Sequence, residues 1–165
     1  MGKVEVSVVM AAYNCESYVR KAIESVMIQE PPLELIVVED CSTDNTYELL
    51  MELQEEINLP EGKEFKLLRN EKNSGVAASR NRGVRAAAGR YIAFLDSDDW
   101  WEEGKLSKQL SLMKRKGAVL CSTGRELMKP DGSSTGKIIP VKEELSYKEL
   151  LKHNSINCSS VVLER

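Results

Sequence analysis

The chain has 165 residues, 42% hydrophobic and 30% charged, which is ordinary for a globular protein and enough for one domain with a buried core. A formal net charge of -3, without a basic stripe interleaved with aromatics, argues against nucleic acid as a partner, and no apolar run approaches the length of a membrane span. The N-terminus shows no charged leader followed by an apolar stretch, so no secretion signal is expected and the setting is read as cytoplasmic. The four cysteines, Cys15, Cys41, Cys121 and Cys158, form no CxxC pair. That spacing argues against zinc and for free thiols in a reducing compartment. Asn157-Cys158-Ser159 fits a glycosylation sequon and, without a secretion signal, is read as chance.

Strand-like and helix-like segments alternate along the chain. Val4 to Met10 is β-branched and apolar, a strand. Tyr18, Val19, Ala22, Ile23, Val26 and Met27 recur at helical spacing, so a helix is expected from about Glu16 to Ile28, stopped by Pro31-Pro32. Leu33 to Val38 is a second strand, and Ser42, Thr43 or Asp44 can cap a helix carrying Leu49, Leu50, Leu53 and Ile57. Phe65 to Leu68 is a short third strand. Ser74 can cap an Ala-rich helix ending near Gly89, where Val76, Arg80, Val84 and Ala87 or Ala88 set Arg80 on an apolar stripe. Tyr91 to Leu95 is the fourth strand, Glu102 to Lys116 a helix, and Ala118 to Cys121 a fifth strand. Lys129 to Ser134 reads as a turn between two short strands, Ser146 to Lys152 as a short helix, and Ser159 to Leu163 as a last strand. The order implies an α/β fold, a Rossmann-like, doubly wound and mostly parallel sheet whose ligands bind beyond the carboxyl ends of the strands.

Three strands run into polar clusters: Ala11-Ala12-Tyr13-Asn14, Glu39-Asp40-Cys41-Ser42-Thr43-Asp44, and Asp96-Ser97-Asp98-Asp99. In a doubly wound sheet these ends share one rim, where crowded carboxylates repel unless a cation or a donor-bearing ligand lies between them. Asp96-x-Asp98 suits Mg²⁺ or Mn²⁺ completed by substrate phosphate oxygens, or else a solvated turn that caps the next helix. Asp40 can accept from a base or a ribose, or cap the helix that follows it. Tyr13 can stack on a base or simply pack. Arg80, early in its helix, meets either a diphosphate or the nearby acids. No GxGxxG follows the first strand, and Gly132 to Ile138 is one residue short of a phosphate loop. His153 is the only histidine, so a multi-histidine metal site is excluded and His153 is read as a surface residue.

Together these segments resemble family 2 glycosyltransferases of the GT-A fold. Val6 to Asn14 is similar to the family's opening strand and nucleotide loop, with alanine where a proline or threonine usually stands near the tyrosine. Val37 to Thr46 resembles V-D-D-G-S-T-D-x-T, with Glu39 for the first aspartate and Cys41 for the glycine. Asn73 to Gly83 is similar to N-x-G-x-x-x-A-R-N-x-G, and Tyr91 to Asp99 to Y-I-x-F-L-D-x-D-D. Four motifs in order are far more specific than any one of them. The resemblance implies an inverting enzyme that uses a nucleotide-sugar donor, usually a UDP-sugar, with Mn²⁺ or Mg²⁺. It assigns Tyr13 and Asp40 to the nucleoside, Arg80 to the diphosphate, Asp96 to the ribose or the metal, and Asp98 to the metal. Ala12, Asn14, Asn73, Gly75 and Ser97 complete the implied donor contacts. The acceptor is expected to be a saccharide or a lipid-linked molecule, which admits the inner face of a membrane as a setting.

On this reading residues 1–122 form the nucleotide-sugar and metal-binding region, and residues 123–165 begin the acceptor region of the same domain. The family places its general base in a second acidic motif downstream of the metal pair, and no such motif follows Asp98 here. Glu143, Glu144 and Glu149 read as a solvated face, so no base is assigned and the acceptor half is expected to be truncated. An inactive sugar-nucleotide-binding module is the alternative. A nucleotidyltransferase-like domain would want a Gly-rich basic loop after the first strand, which Ala11 to Asn14 does not supply.

Overall fold

Strand β1 (Val6–Ala12) shows why a parallel sheet forms: both of its faces are apolar, so both need cover. In the computed structural model, which describes residues 4–144, 146–152 and 156–165, they receive it. Val6, Val8, Met10 and Ala12 face a core shared with α1 (Val19–Met27), α2 (Thr46–Glu56) and α4 (Lys105–Lys116). Val9 faces a second, smaller core under α3 (Val76–Ala86). β2 (Leu33–Glu39) is buried along its whole length between β1 and β3 (Lys63–Arg69). Each fully buried Leu or Ile there contributes about 1.5–3 kcal/mol. His153, expected at the surface, lies outside the described residues.

The strand order is β3-β2-β1-β4-β8-β5, with β4 at Tyr91–Phe94, β5 at Leu120–Cys121 and β8 at Val162–Glu164. β3, β2, β1 and β4 are parallel. Right-handed crossovers put α1 and α2 on one face as the chain winds from β1 out to β3. They put α3 on the other face as it returns past β1 to β4, so the winding reverses between β1 and β4.

The sequence reading needs correction at several points. The fifth strand is shorter than expected, Leu120–Cys121 rather than Ala118 to Cys121, and β8 inserts between it and β4, antiparallel to both. The last strand starts at Val162, because Cys158–Ser160 form a 3-10 turn. α4 begins at Lys105, after Gly104 in the left-handed region. α3 ends at Ala86 rather than near Gly89, and Ser74 does not cap it: its hydroxyl donates to the Lys72 carbonyl, and Gly75, at φ 86°, occupies the cap. The buried stripe of α3 is the expected one only in part. Val84 and the following Ala87 pack on the second core as expected, but Val76 is 53% exposed, and Ser79 and Gly83 are the buried residues within the helix. A Cβ on Gly83 would lie 2.5 Å from Val9 Cγ1, so only a small residue allows α3 this close to β1. The turn at Lys129 to Ser134 does join two short strands, β6 (Arg125–Met128) and β7 (Ser134–Ile139), as a separate antiparallel ribbon followed by α5 (Tyr147–Lys152).

Glu34 is fully buried in β2 and ties three segments together. It accepts from Ser7 Oγ at 2.5 Å, from Lys66 Nζ at 2.5 Å and from the Ala88 amide at 2.6 Å. Burial raises its pKa, but these donors outweigh burial and hold the carboxyl below its ordinary value. Among the described residues no helix is long and apolar enough to cross a membrane.

Candidate functional site

Because β2, β1 and β4 are neighbours, their carboxyl ends open on one rim, and α3 starts beside them. A cavity of about 530 Å³ lies there. Ala12, Tyr13, Asn14, Asp40, Asn73, Gly75, Arg80, Asp96, Ser97 and Asp98 all line it, and Cys15, Tyr18 and Val76 join them. Sequence reasoning passed over these last three because their side chains are apolar or read as helix packing.

The loops after β1 and β2 interlock. The Asn14 amide donates to Ser42 Oγ at 3.1 Å, and Asn14 Oδ1 accepts from the Thr43 amide at 2.8 Å. The Cys15 amide donates to Thr46 Oγ1 at 2.8 Å, and Glu16 Oε2 accepts from the Asn45 amide at 2.9 Å. Asn14 (φ 48°) and Cys41 (φ 63°) both sit in the left-handed region, so Cys41 stands where glycine would be unstrained. Tyr13, 46% exposed, is left free to present its ring to the cavity. Glu39 serves the scaffold rather than the cavity. It is fully buried and accepts from the Ser42 amide at 2.5 Å, while Arg69 Nε stands 3.0 Å from its other oxygen without a directed hydrogen bond.

Asp40 does not cap the next helix in sequence; it ties down the loop that enters a later one. Its Oδ1 accepts from Asn70 Nδ2 at 2.5 Å and from the Ser74 amide at 2.9 Å, and its Oδ2 accepts from the Gly75 amide at 2.8 Å. It therefore holds the start of α3 against the end of β2. Burial raises its pKa, but the Asn70, Ser74 and Gly75 donors outweigh burial and lower it. Asp40 is 3% exposed and still lines the cavity. The helix after β2 is served instead by Asp44, whose Oδ1 accepts from the Thr46 amide at 3.1 Å.

Arg80 pairs with Asp96, Nη2 to Oδ1, at 2.5 Å, with both side chains about one-third exposed or less. Asp98 is exposed in the cavity, and among the described residues none donates to its carboxylate. Among the described residues no three His, Cys, Asp or Glu side chains form a closed metal cage. Asp98 and the second oxygen of Asp96 are thus the cavity carboxylates that could hold a cation, without a closed cage. Such a set suits Mg²⁺ or Mn²⁺, which take one or two carboxylates and complete their shell with phosphate and water oxygens. Asp99 turns away: it is absent from this cavity and accepts from Ser159 Oγ at 2.6 Å. Burial, together with Asp98 and Asp96 nearby, raises its pKa despite that hydrogen bond.

A second cleft of about 960 Å³ opens beyond Asp98 and shares Tyr18 and Asp98 with the first. Trp100, Trp101 and Lys105 form one wall and the β6–β7 ribbon the other. Lys21 Nζ stands 3.3 Å from the centre of the Trp100 ring. Lys105 lies 4.1 Å from the Trp101 ring and donates to Gln109 at 2.6 Å, and burial pushes its pKa down to about 7. Nothing in the sequence marks Lys105, a lysine among others at the start of a helix. Glu149 is exposed and is held to about 2 by hydrogen bonds from Lys142 and Ser146.

Residues 7–163 match the model of the family described as Glycosyl transferase family 2. The putative teichuronic acid biosynthesis glycosyltransferase TuaG of Bacillus subtilis (strain 168) is 40% identical over 161 residues, covering 97% of this chain and 62% of the relative. The Escherichia coli protein named UDP-Glc:alpha-D-GlcNAc-diphosphoundecaprenol beta-1,3-glucosyltransferase WfaP is 34% identical over 161 residues, covering 97% and 61%. The chain thus spans about three-fifths of the length of these curated relatives. Among solved structures, S. aureus TarS 1-349 in complex with UDP-GlcNAc superposes with a TM-score of 0.74 at 23% identity, over 98% of this chain and 45% of that one. The mannosyltransferase PcManGT from Pyrobaculum calidifontis, in complex with GDP-Man and Mn2+, gives 0.71 at 17% identity, over 98% and 44%. At these identities the likeness establishes a shared GT-A-type fold.

Proposed function

Since the chain belongs to glycosyl transferase family 2, whose model spans residues 7–163, we propose that it binds a UDP-sugar in the rim cavity and takes part in transferring the sugar to a saccharide or lipid-linked acceptor, with inversion. The observation that carries this reading is the convergence of Tyr13, Asp40, Arg80, Asp96 and Asp98, drawn from four separate segments, on one cavity. UDP is favoured because TarS was solved with UDP and UDP-GlcNAc and the E. coli relative is named for UDP-Glc. The name of that relative, which includes diphosphoundecaprenol, supports a lipid-linked acceptor met at the inner face of a membrane.

Each residue has a role that its surroundings permit. Tyr13 offers a ring face to the base. Asp40 accepts from the base, while its bonds to Asn70, Ser74 and Gly75 keep the carboxylate still. Arg80, poised on Asp96, pairs with diphosphate oxygens in the bidentate manner open to a guanidinium. Asp98 and Asp96 hold Mn²⁺ or Mg²⁺, which when bound neutralises charge on the departing diphosphate. Ala12, Asn14, Asn73, Gly75 and Ser97 shape the walls. The second cleft, joined to the first at Asp98 and Tyr18, receives the sugar and the acceptor. Residues 1–122 then make up the donor region and residues 123–165 the start of the acceptor region. Glu149, held near 2, is a poor base close to neutrality, and no base is assigned to this chain.

Calorimetric titration with UDP, with and without Mn²⁺, tests the reading. Tighter binding with Mn²⁺ is expected, together with slow metal-dependent hydrolysis of a UDP-sugar that Asp98→Ala abolishes. No UDP binding under either condition would overturn it.

A further inference from the structure

Three carboxylates lie within the four residues Asp96 to Asp99, and nothing local decides which of them face the cavity. The turn closes on itself through a single backbone bond, from the Asp99 amide to the Asp96 carbonyl at 3.1 Å. Its setting comes from a residue far along the chain. Ser159 is 7% exposed, and its Oγ reaches both ends of the turn. It accepts from the Asp96 amide at 3.0 Å and donates to Asp99 Oδ2 at 2.6 Å. Ser159 is itself fixed. Its amide donates to Asn157 Oδ1 at 2.8 Å, and its carbonyl accepts from Trp101 Nε1 at 2.7 Å. The neighbouring Ser160 carbonyl accepts from Gln109 Nε2 at 3.0 Å. The result is a division of labour: Asp96 and Asp98 line the cavity, and Asp99 lines the cleft behind it.

We propose that Ser159 is a positioning residue for the Asp96-to-Asp99 turn, holding it by both ends so that Asp98, at its tip, and Asp96 face a divalent cation. This rests on the donor-binding reading above. Without the hydroxyl, Asp99 loses its donor and the Asp96 amide loses its acceptor, so the turn is no longer held at either end and Asp98 has no fixed position. The nucleoside contacts through Tyr13 and Asp40 do not run through this turn, so their share of binding stays.

The test is UDP affinity by calorimetry with and without Mn²⁺, and Mn²⁺ affinity by electron paramagnetic resonance, with melting temperatures recorded beside them. Ser159→Ala should lose about tenfold in Mn²⁺ affinity, the usual effect of removing a group that orients a ligand, with metal-free UDP affinity unchanged. Ser159→Thr, which keeps the hydroxyl, should restore it. Asp99→Asn still accepts from Ser159 and should keep near-wild-type Mn²⁺ affinity, whereas Asp99→Ala should lose it. The Asp99 pair decides the matter if Ser159→Ala fails to fold. Unchanged Mn²⁺ affinity in Ser159→Ala would overturn the proposal, as would Asp99→Asn proving as damaging as Asp98→Asn, which would make Asp99 a ligand. Wild-type protein whose UDP affinity ignores Mn²⁺ would instead overturn the metal assignment on which the proposal rests.

Discussion

Replacing Asp40 by asparagine exchanges one acceptor oxygen for a donor nitrogen where three donors already converge. The best the amide can do is keep its oxygen toward Asn70 and Ser74 and set its nitrogen against the Gly75 amide, now 2.8 Å from the carboxylate oxygen. A hydrogen bond to a charged group contributes about 1.5–3 kcal/mol, and the lost negative charge at the start of α3 adds about 0.3–1 kcal/mol. Asp40→Asn should therefore lower the unfolding free energy by about 2–4 kcal/mol, measured by urea denaturation at pH 7. The folded-state pKa of Asp40 is depressed, so the contribution is fully present above the unfolded carboxylate value of about 3.9 and is lost as pH falls through the folded value. The gap between wild type and variant should hold steady from neutrality down to about pH 5 and close below about pH 4. UDP affinity should fall as well. Equal stability at pH 7, or a gap that widens on acidification, would refute the helix-anchoring role. Lost affinity at full stability would leave Asp40 with the ligand alone.

Asp98→Asn removes an anionic ligand that bonds to nothing else among the described residues, so Mn²⁺-dependent UDP affinity should drop tenfold or more while the urea midpoint stays put; unchanged affinity in calorimetry rules out the metal assignment. Cys41→Gly relieves a left-handed residue at φ 63°, worth about 1–2 kcal/mol, against about 0.5–1 kcal/mol of added chain entropy, and a thermal melt should rise by about 2 °C; a lower melting point contradicts it. Gly83→Ala sets a Cβ 2.5 Å from Val9 Cγ1. Overpacking of about 1–3 kcal/mol exceeds the helix-propensity gain of about 1 kcal/mol, so the variant should melt lower, and a gain in stability would show that α3 can retreat from the sheet at no cost.

Much of the rim was legible in the order of residues. Short apolar runs alternating with helical stripes imply parallel strands, and right-handed crossovers then leave the carboxyl ends of β1, β2 and β4 side by side. Any polar cluster at those ends must share one cavity, and for that reason Tyr13, Asp40 and Asp98, 27 to 85 positions apart in the chain, meet there. The mode of use of each side chain was another matter. That Asp40 anchors α3 rather than α2, that Arg80 rests on Asp96, and that Ser159 holds Asp99 all depend on partners brought close only by packing. The same holds for β8, a three-residue strand whose antiparallel place between β4 and β5 no local pattern marks, since a short apolar run carries no direction. It holds again for α3, where periodicity found Val84 and Ala87 but also pointed to Val76, which is exposed, and missed Ser79 and Gly83. Local sequence constrains backbone dihedrals and which edge of the sheet a residue reaches; which lone pair meets which donor is settled when the layers close, because hydrogen bonds are decided within a few tenths of an ångström.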